Sequence, residues 1–548
     1  MSRKKKEKSV KESAKLARHR HWKGLLSLVL FLLCALGVSD YLLFLSPNSP
    51  DFDIFYHLRH ASIYLSKGLS LKEFPWATYS VINRFSADLW YGFHLLLIPV
   101  TFHHDPVSEV KLGGLFILTI FLVLFYLAIR RSRLSCPFLW PFFLLFSAGV
   151  FIERLVMGRP HVISMGLTAL LFSFMVSGSI WGVFFCSLAL TFFHLSFFWL
   201  ALAAAGAVVL VKLRIEKEFE WRKSAALFSG LAAGWLLRPN PIGAAKILYV
   251  QVFQLMLEKQ KGLAGFGTEL GRLEPRALIL LSPFIAVWLG MAAATVAALF
   301  RRHAELPPVK RTFLWSSLLL SLLFFGTTVS VYQRTIDQWG LFAVLFVAAG
   351  LTYFLDAKEA EGKRPGGQRR RLIAASAGVI FLIGLVWMTL YSYTRFIRSP
   401  LVGRTERTRA AGEWLKEHAQ PGEIVFHAHW DNFPELFFWS PANRYIGGMD
   451  PIFQYAYDPG LYWKARHLAT NEMGARTWGT MSGKGARLEE TYTVLRRDFK
   501  ASYLFVQKYR TPSLYWYALE DARFVQCFDS RLVAIFRLSG AGQSETEK

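Results

Sequence analysis

Two carboxylates, Asp51 and Asp53, stand where a long apolar stretch gives way to polar chain, in PDFDIFYHLRHASIYLSKG. Carboxylates at such an edge are costly to desolvate, so they need either water or a task. One task open to them is taking a proton from an attacking hydroxyl. The plainer role for Asp51 is to cap the helix that follows, with His57 and Arg59 as that helix's polar face. Cations collect at comparable edges: Arg159 and His161 in the turn 153–161, Arg238 in RPNP, Arg334 in YQRT, and His194. An Arg there could grip an anion with two parallel N–H donors, or simply reach for lipid headgroups.

These residues need a scaffold, and the composition names its kind. Of 548 residues 53% are hydrophobic and 18% charged, with 48 Phe and 18 Trp. That balance belongs to a lipid-embedded chain and excludes a soluble enzyme, a disordered scaffold and a disulfide mini-protein. The formal charge of +25 is spread in short clusters between apolar stretches. It therefore reports membrane orientation and gives no ground for a nucleic-acid partner. Three of the four Cys lie in or against apolar segments, so there is no disulfide framework.

About eleven segments approach the roughly 20 apolar residues that a helix needs to span the hydrocarbon. They are 24–45, 109–129, 137–155, 160–178, 180–196, 197–213, 224–238, 276–299, 312–331, 335–355 and 372–393. Lys and Arg dominate the short loops 130–136, 212–223, 300–311 and 356–371 and the basic segment 1–23, which places them and the N-terminus on the cytoplasmic side. The loop 46–108 and residues 394–548 then lie outside, in the inner membrane of a cell. Within that loop, 88–103 is apolar but short and reads as a helix lying partly in the interface. The division is a basic tail 1–23, an all-α polytopic membrane domain 24–393, and an extracytoplasmic α/β domain 394–548. In the last, 409–419, 488–499 and 513–522 read as helices, and 423–426, 502–507, 524–528 and 532–538 as strands. The stretch 238–273, ending in the Gly-rich KGLAGFGTELG, reads as a flap over a cavity.

Asp53-Ile54-Phe55-Tyr56-His57-Leu58-Arg59, running on to Gly68, resembles the opening of the first outer loop in GT-C glycosyltransferases. It is most similar to the D-x-x-[YF]-[HN]-x-R of the oligosaccharyltransferase catalytic subunit, and its spacing also suits protein mannosyltransferases and lipid A aminoarabinose transferases. IVFHAHWDNFPELFFWSPANRYIGGMD resembles the W-W-D-Y-G stretch of oligosaccharyltransferases, with Trp430 and Asp431 matched, His429 in place of the first Trp, and Asn432-Phe433 departing from Tyr-Gly. In that family the turn corresponding to 153–161 supplies carboxylates to a divalent metal; here it carries Arg-Pro-His.

The resemblance implies an inverting glycosyltransferase, hexosyl or pentosyl, that takes its sugar from a polyprenyl-phosphate-type lipid. The acceptor would be a glycan, lipid or protein. Asp53 would be the base or acceptor-orienting residue and Asp51 its assistant. Arg159, His161, Arg238 and Arg334 would contact the donor phosphate, while Tyr56, His57, Arg59, Trp430 and Asp431 would line the acceptor or outer-domain site. No cofactor is expected, and the cationic turn argues against a divalent metal. His427, His429 and Asp431 alternate along a strand and could ligate one, but three side chains on one short run rarely close a site. A flippase of lipid-linked sugars and a non-catalytic assembly protein are the alternatives; the first should carry charges at mid-span, the second should be indifferent to Asp53.

Overall fold

The computed structural model describes residues 3–71, 73–103, 105–260, 270–300, 306–360, 368–399, 408–482 and 485–539. Helix α1 (Arg3–Phe44) is continuous, so from Arg3 onward the basic segment forms the helix's first turns. After it come α2 (Asp53–Lys67), α3 (Tyr91–Leu97), α4 (Pro106–Arg131), α5 (Leu139–Phe146), α6 (Gly149–Leu155), α7 (Pro160–Ser177) and α8 (Ile180–Phe193). The membrane domain continues with α9 (Phe198–Ile215), α10 (Trp221–Leu236), α11 (Pro275–Phe300), α12 (Pro308–Ser330), α13 (Ile336–Ala360) and α14 (Gln368–Ile397). Helices α4, α7, α11 and α12 begin on Pro, whose missing N–H costs nothing in a first turn.

Among the described residues eight helices are long and apolar enough to cross a membrane, where the sequence reads about eleven. The three segments that fall short do so for visible reasons. Residues 137–155 break at Ala148, whose backbone is extended, into α5 and α6. Helices α8 and α10 have 14 and 16 residues, about 21 and 24 Å at 1.5 Å per residue, against roughly 30 Å of hydrocarbon. They pack backbone to backbone through Gly230 and Gly234 of α10: a Cβ at Gly234 would stand 2.2 Å from the Leu188 carbonyl oxygen of α8. This is the small-residue contact by which helices associate where no hydrophobic drive separates helix from lipid.

The α/β domain carries a five-stranded sheet. Strands β1 (Ile424–His427), β2 (Arg444–Tyr445), β5 (Ala501–Gln507), β6 (Phe524–Asp529) and β7 (Val533–Leu538) lie in the order β2-β1-β5-β7-β6, beside a small antiparallel pair of β3 (Arg476–Thr477) and β4 (Glu489–Glu490). β2, β1 and β5 run parallel and β7 and β6 antiparallel, the last two paired as their sequence suggests. Helix α15 (Arg409–His418) matches its expected span. The segment expected as helix 488–499 starts with β4, and only Thr491–Arg497 is helical.

Loop and domain interlock. Thr78 and Tyr79 donate their backbone N–H to the Tyr445 and Ile446 carbonyls, and the Tyr445 N–H returns to the Trp76 carbonyl. The first loop thus lengthens the sheet beyond β2. Residues 91–102, the short apolar run of that loop, form α3 and a 3-10 turn. Of the expected flap, Pro241–Leu248, a π-helical turn Tyr249–Gln254 and Leu255–Gln260 are helical; the Gly-rich 261–269 lies outside the described residues.

Candidate active site

Asp51 does not cap α2. The N-cap position is Phe52, which makes no side-chain cap, and the Asp51 carboxylate turns to Arg159. Arg159 stands in extended conformation just before Pro160 opens α7, so its side chain is thrown back toward the start of α2. Its Nε lies 2.7 Å from Asp51 Oδ2 and its Nη2 2.5 Å from Oδ1, a two-pronged pair. The same Nε is 3.2 Å from Asp53 Oδ2. The Asp51 side chain is 5% exposed and that of Asp53 17%. Arg159 therefore bridges both carboxylates, with Asp51 gripped and Asp53 the more accessible.

A second buried pair lies beside it. Arg154 on α6 forks onto Asp337 in the first turn of α13, with Nη2 to Oδ2 at 2.8 Å, and His161 Nε2 is 3.7 Å from the same oxygen. The Asp337 side chain is 1% exposed. His161 lies within electrostatic reach of Arg154, Arg159, Arg334 and His194, so these cations do converge. Asp337 and Arg154 escaped the sequence reading. The available signal was an acid three residues after Arg334, at the same helix end as the YQRT turn.

A cleft of about 820 Å³ lies among the membrane helices and the segment that follows Arg238, with Asp450 contributed by the α/β domain. Phe197, Trp199, Val252, Leu255 and Met256 make its apolar lining, and His194, Lys259, Tyr332, Arg334, Gln338 and Asp450 its polar one. Lys259 Nζ sits 3.8 Å from the Tyr332 ring centre and donates to the Leu270 carbonyl. The helical part of the expected flap thus supplies one side of the cleft, Lys259 included.

Other sequence candidates have structural work. Arg238 donates to the carbonyls of Asp88, Thr191 and Trp235, with Nη1 to Asp88 at 2.7 Å, so its guanidinium ties three segments together. Arg59 donates to the Phe438 carbonyl and lies 5.0 Å from that ring's centre, fastening α2 to α16 (Phe433–Trp439). Tyr56 is buried against Phe433 and Phe437 with its hydroxyl on His60 Nδ1 at 3.1 Å, and His57 is buried on His94. Arg59 and Tyr56 thus wedge loop against domain, while His57 packs within the loop against α3.

Trp430 and Asp431 lie in a 3-10 turn just past the C-terminal end of β1, where Arg510 donates to Asp431 at 2.9 Å. The turn ends the strand alternation that would align His427, His429 and Asp431. His427 Nε2, His429 Nε2, Asn432 Oδ1 and Gln507 Nε2 are buried there without a hydrogen-bond partner among the described residues. Ends of parallel strands are common ligand sites. Burial pushes His427 and His429 down to about 4, the nearby Arg510 adding to the effect on His429. Among the described residues the one group of three or more potential metal ligands is His60, Asp88 and His94, which no motif marks.

No protein-family model matches the sequence, and no curated protein matches it. Solved structures do. ArnT from Cupriavidus metallidurans bound to undecaprenyl phosphate superposes with a TM-score of 0.53 at 12% identity, over 95% of this chain and 99% of that one. The arabinofuranosyltransferase AftD from Mycobacteria gives 0.53 at 14% identity, over 94% of this chain and 42% of that one. Over more than nine-tenths of its length this chain, an integral membrane protein, therefore has the fold of these two structures, the GT-C fold.

Proposed function

We propose that the protein moves a sugar from a polyprenyl-phosphate-type lipid to an acceptor hydroxyl, with inversion and a single displacement. The observation that carries this reading is the two-sided cleft. Its apolar lining suits a hydrocarbon chain, while Lys259 and Arg334 suit the phosphate at that chain's end. ArnT, of like fold, is a protein solved with undecaprenyl phosphate. In this reading Arg334, with Lys259 and His194, offsets charge growing on the departing phosphate. Asp53 accepts or orients the acceptor's proton, and Asp51 holds Arg159 so that Asp53 keeps its basicity. The cleft faces the extracytoplasmic side, as the loop charges favour. Transfer measured as release of polyprenyl phosphate from a panel of polyprenyl-phosphate pentoses and hexoses tests the reading; no release from any donor, with the protein folded, refutes it.

The same reading needs no magnesium or manganese at the carboxylates, because Arg159 fills the space between Asp51 and Asp53 with a fixed cation. Transfer in buffer stripped of both ions should match transfer with either restored. Abolition on stripping and rescue by one of them would show that the ion displaces Arg159.

A further inference from the structure

The geometry points to a zinc site in the first loop, built from His60 on α2, Asp88, and His94 on α3, which pins α3 beneath the helix that Asp53 opens. Their ligand atoms lie within 4.8 Å of one another. Two imidazoles and a carboxylate form a donor set that zinc prefers and magnesium does not. The site is separate from the Asp51–Arg159–Asp53 bridge, and it does not depend on glycosyl transfer.

The surrounding hydrogen bonds are those a bound ion requires. His94 presents Nδ1 toward Asp88 Oδ2 at 2.6 Å, and its Nε2 meets His57 Nδ1 at 2.8 Å, a partner for the remaining N–H. The Nδ1 of His60 meets the Tyr56 hydroxyl at 3.1 Å, which fixes the ring and leaves Nε2 facing Asp88. Asp88 Oδ2 accepts from the Tyr64 hydroxyl at 3.0 Å, and Oδ1 from the Trp90 N–H at 2.8 Å. Metal-bound histidines nearly always have the second ring nitrogen engaged in this way, and ligating carboxylates are themselves hydrogen-bonded.

The network closes everywhere except at one atom. His60 Nε2 is buried, on a side chain 2% exposed, and has no hydrogen-bond partner among the described residues; it lies 4.0 Å from Asp88 Oδ2. An imidazole nitrogen orphaned at that depth is an unmet cost, and a shared ion removes it. Tetrahedral zinc sets its donors about 3.4 Å apart, so His60 must close on Asp88 by about 0.6 Å and His94 draw back from it by about 0.8 Å. Zinc would replace the proton now held between His94 and Asp88. A small pocket lined by Glu73, Arg238 and Asn240 borders His60 and Asp88 and gives a fourth ligand, water, a way in.

The test uses the full chain, purified in detergent without a polyhistidine tag, saturated with zinc and dialysed. Elemental analysis should find one zinc per chain. His94→Ala and Asp88→Asn should each retain less than a tenth of it, the second preserving size and most hydrogen bonds should the first misfold. His57→Phe, which removes only the partner of His94, should weaken zinc binding about 10- to 100-fold. Cobalt loaded in place of zinc should give the intense visible bands of a tetrahedral site, and these should vanish in Asp88→Asn. Zinc at background in the parent protein, zinc equal in parent and variants, or cobalt bands indifferent to Asp88 would each overturn the assignment.

Discussion

Neutralising Asp51 and Asp53 one at a time should separate anchoring from chemistry. Asp51 holds Arg159 by both arms at 2.7 and 2.5 Å, while Asp53 receives one contact at 3.2 Å. Breaking a buried ion pair costs about 3–5 kcal/mol; Arg159 is partly exposed and retains Asp53, so Asp51→Asn should cost about 2–3 kcal/mol. Asp53→Asn loses a single, longer contact at a more accessible side chain and should cost about 1 kcal/mol or less. The rates should rank the other way. Without its base, Asp53→Asn should lose about 10²- to 10⁴-fold in turnover. Asp51→Asn should lose about 10-fold, as Arg159 shifts fully onto Asp53 and draws down its basicity at roughly 1.4 kcal/mol per decade. The assay pairs donor-panel turnover with thermal unfolding in detergent. Near-normal transfer by Asp53→Asn beside a dead Asp51→Asn would exchange the two roles, and unchanged melting in Asp51→Asn would refute the anchoring argument.

Three further outcomes are expected. Asp337→Ala strands Arg154 in a buried site and should cost about 3–5 kcal/mol, seen as loss of monodisperse protein, whereas Arg154→Met with Asp337→Leu together should recover much of it. Gly234→Leu should separate α8 from α10 and cost about 1–3 kcal/mol in thermal unfolding, because even its Cβ has no room against the Leu188 carbonyl. Below pH 6.5 the unfolded chain protonates His427 while the fold keeps it neutral down to about 4, so stability should fall across that window, by on the order of 2–3 kcal/mol at its foot; His427→Gln should flatten the slope, and an unchanged slope would show that other groups set it.

The α/β domain was legible because its signals are local: α15 is amphipathic and stopped by Pro421-Gly422, and β5 to β7 are apolar runs between turns. Span count was less so. Hydropathy sums over a segment but does not see that 137–155 bends at Ala148, nor that α8 and α10 are short and pair through glycine. In the candidate site, Asp51, Asp53, Arg159 and His161 stand out in the sequence because carboxylates and cations at apolar edges are conspicuous, and the fold brings them near one another. Arg59 and Tyr56 face the α/β domain and His57 faces α3, and a polar residue packed on another element looks the same in one dimension as one that faces a substrate. His60 stands 28 positions from Asp88 and 34 from His94, and Asp337 stands 183 from Arg154, separations that only the fold closes.

The backbone ladder between Trp76–Tyr79 and Tyr445–Ile446 sets where this chain can be cut and rejoined. A chimera divided at the end of α14 would import a foreign sheet edge against a native loop, unzipping that ladder and freeing Arg59 from Phe438. Exchanging the C-terminal domain between proteins of this fold therefore calls for two crossovers, so that residues from Asp53 to about Tyr79 travel with the sheet they extend.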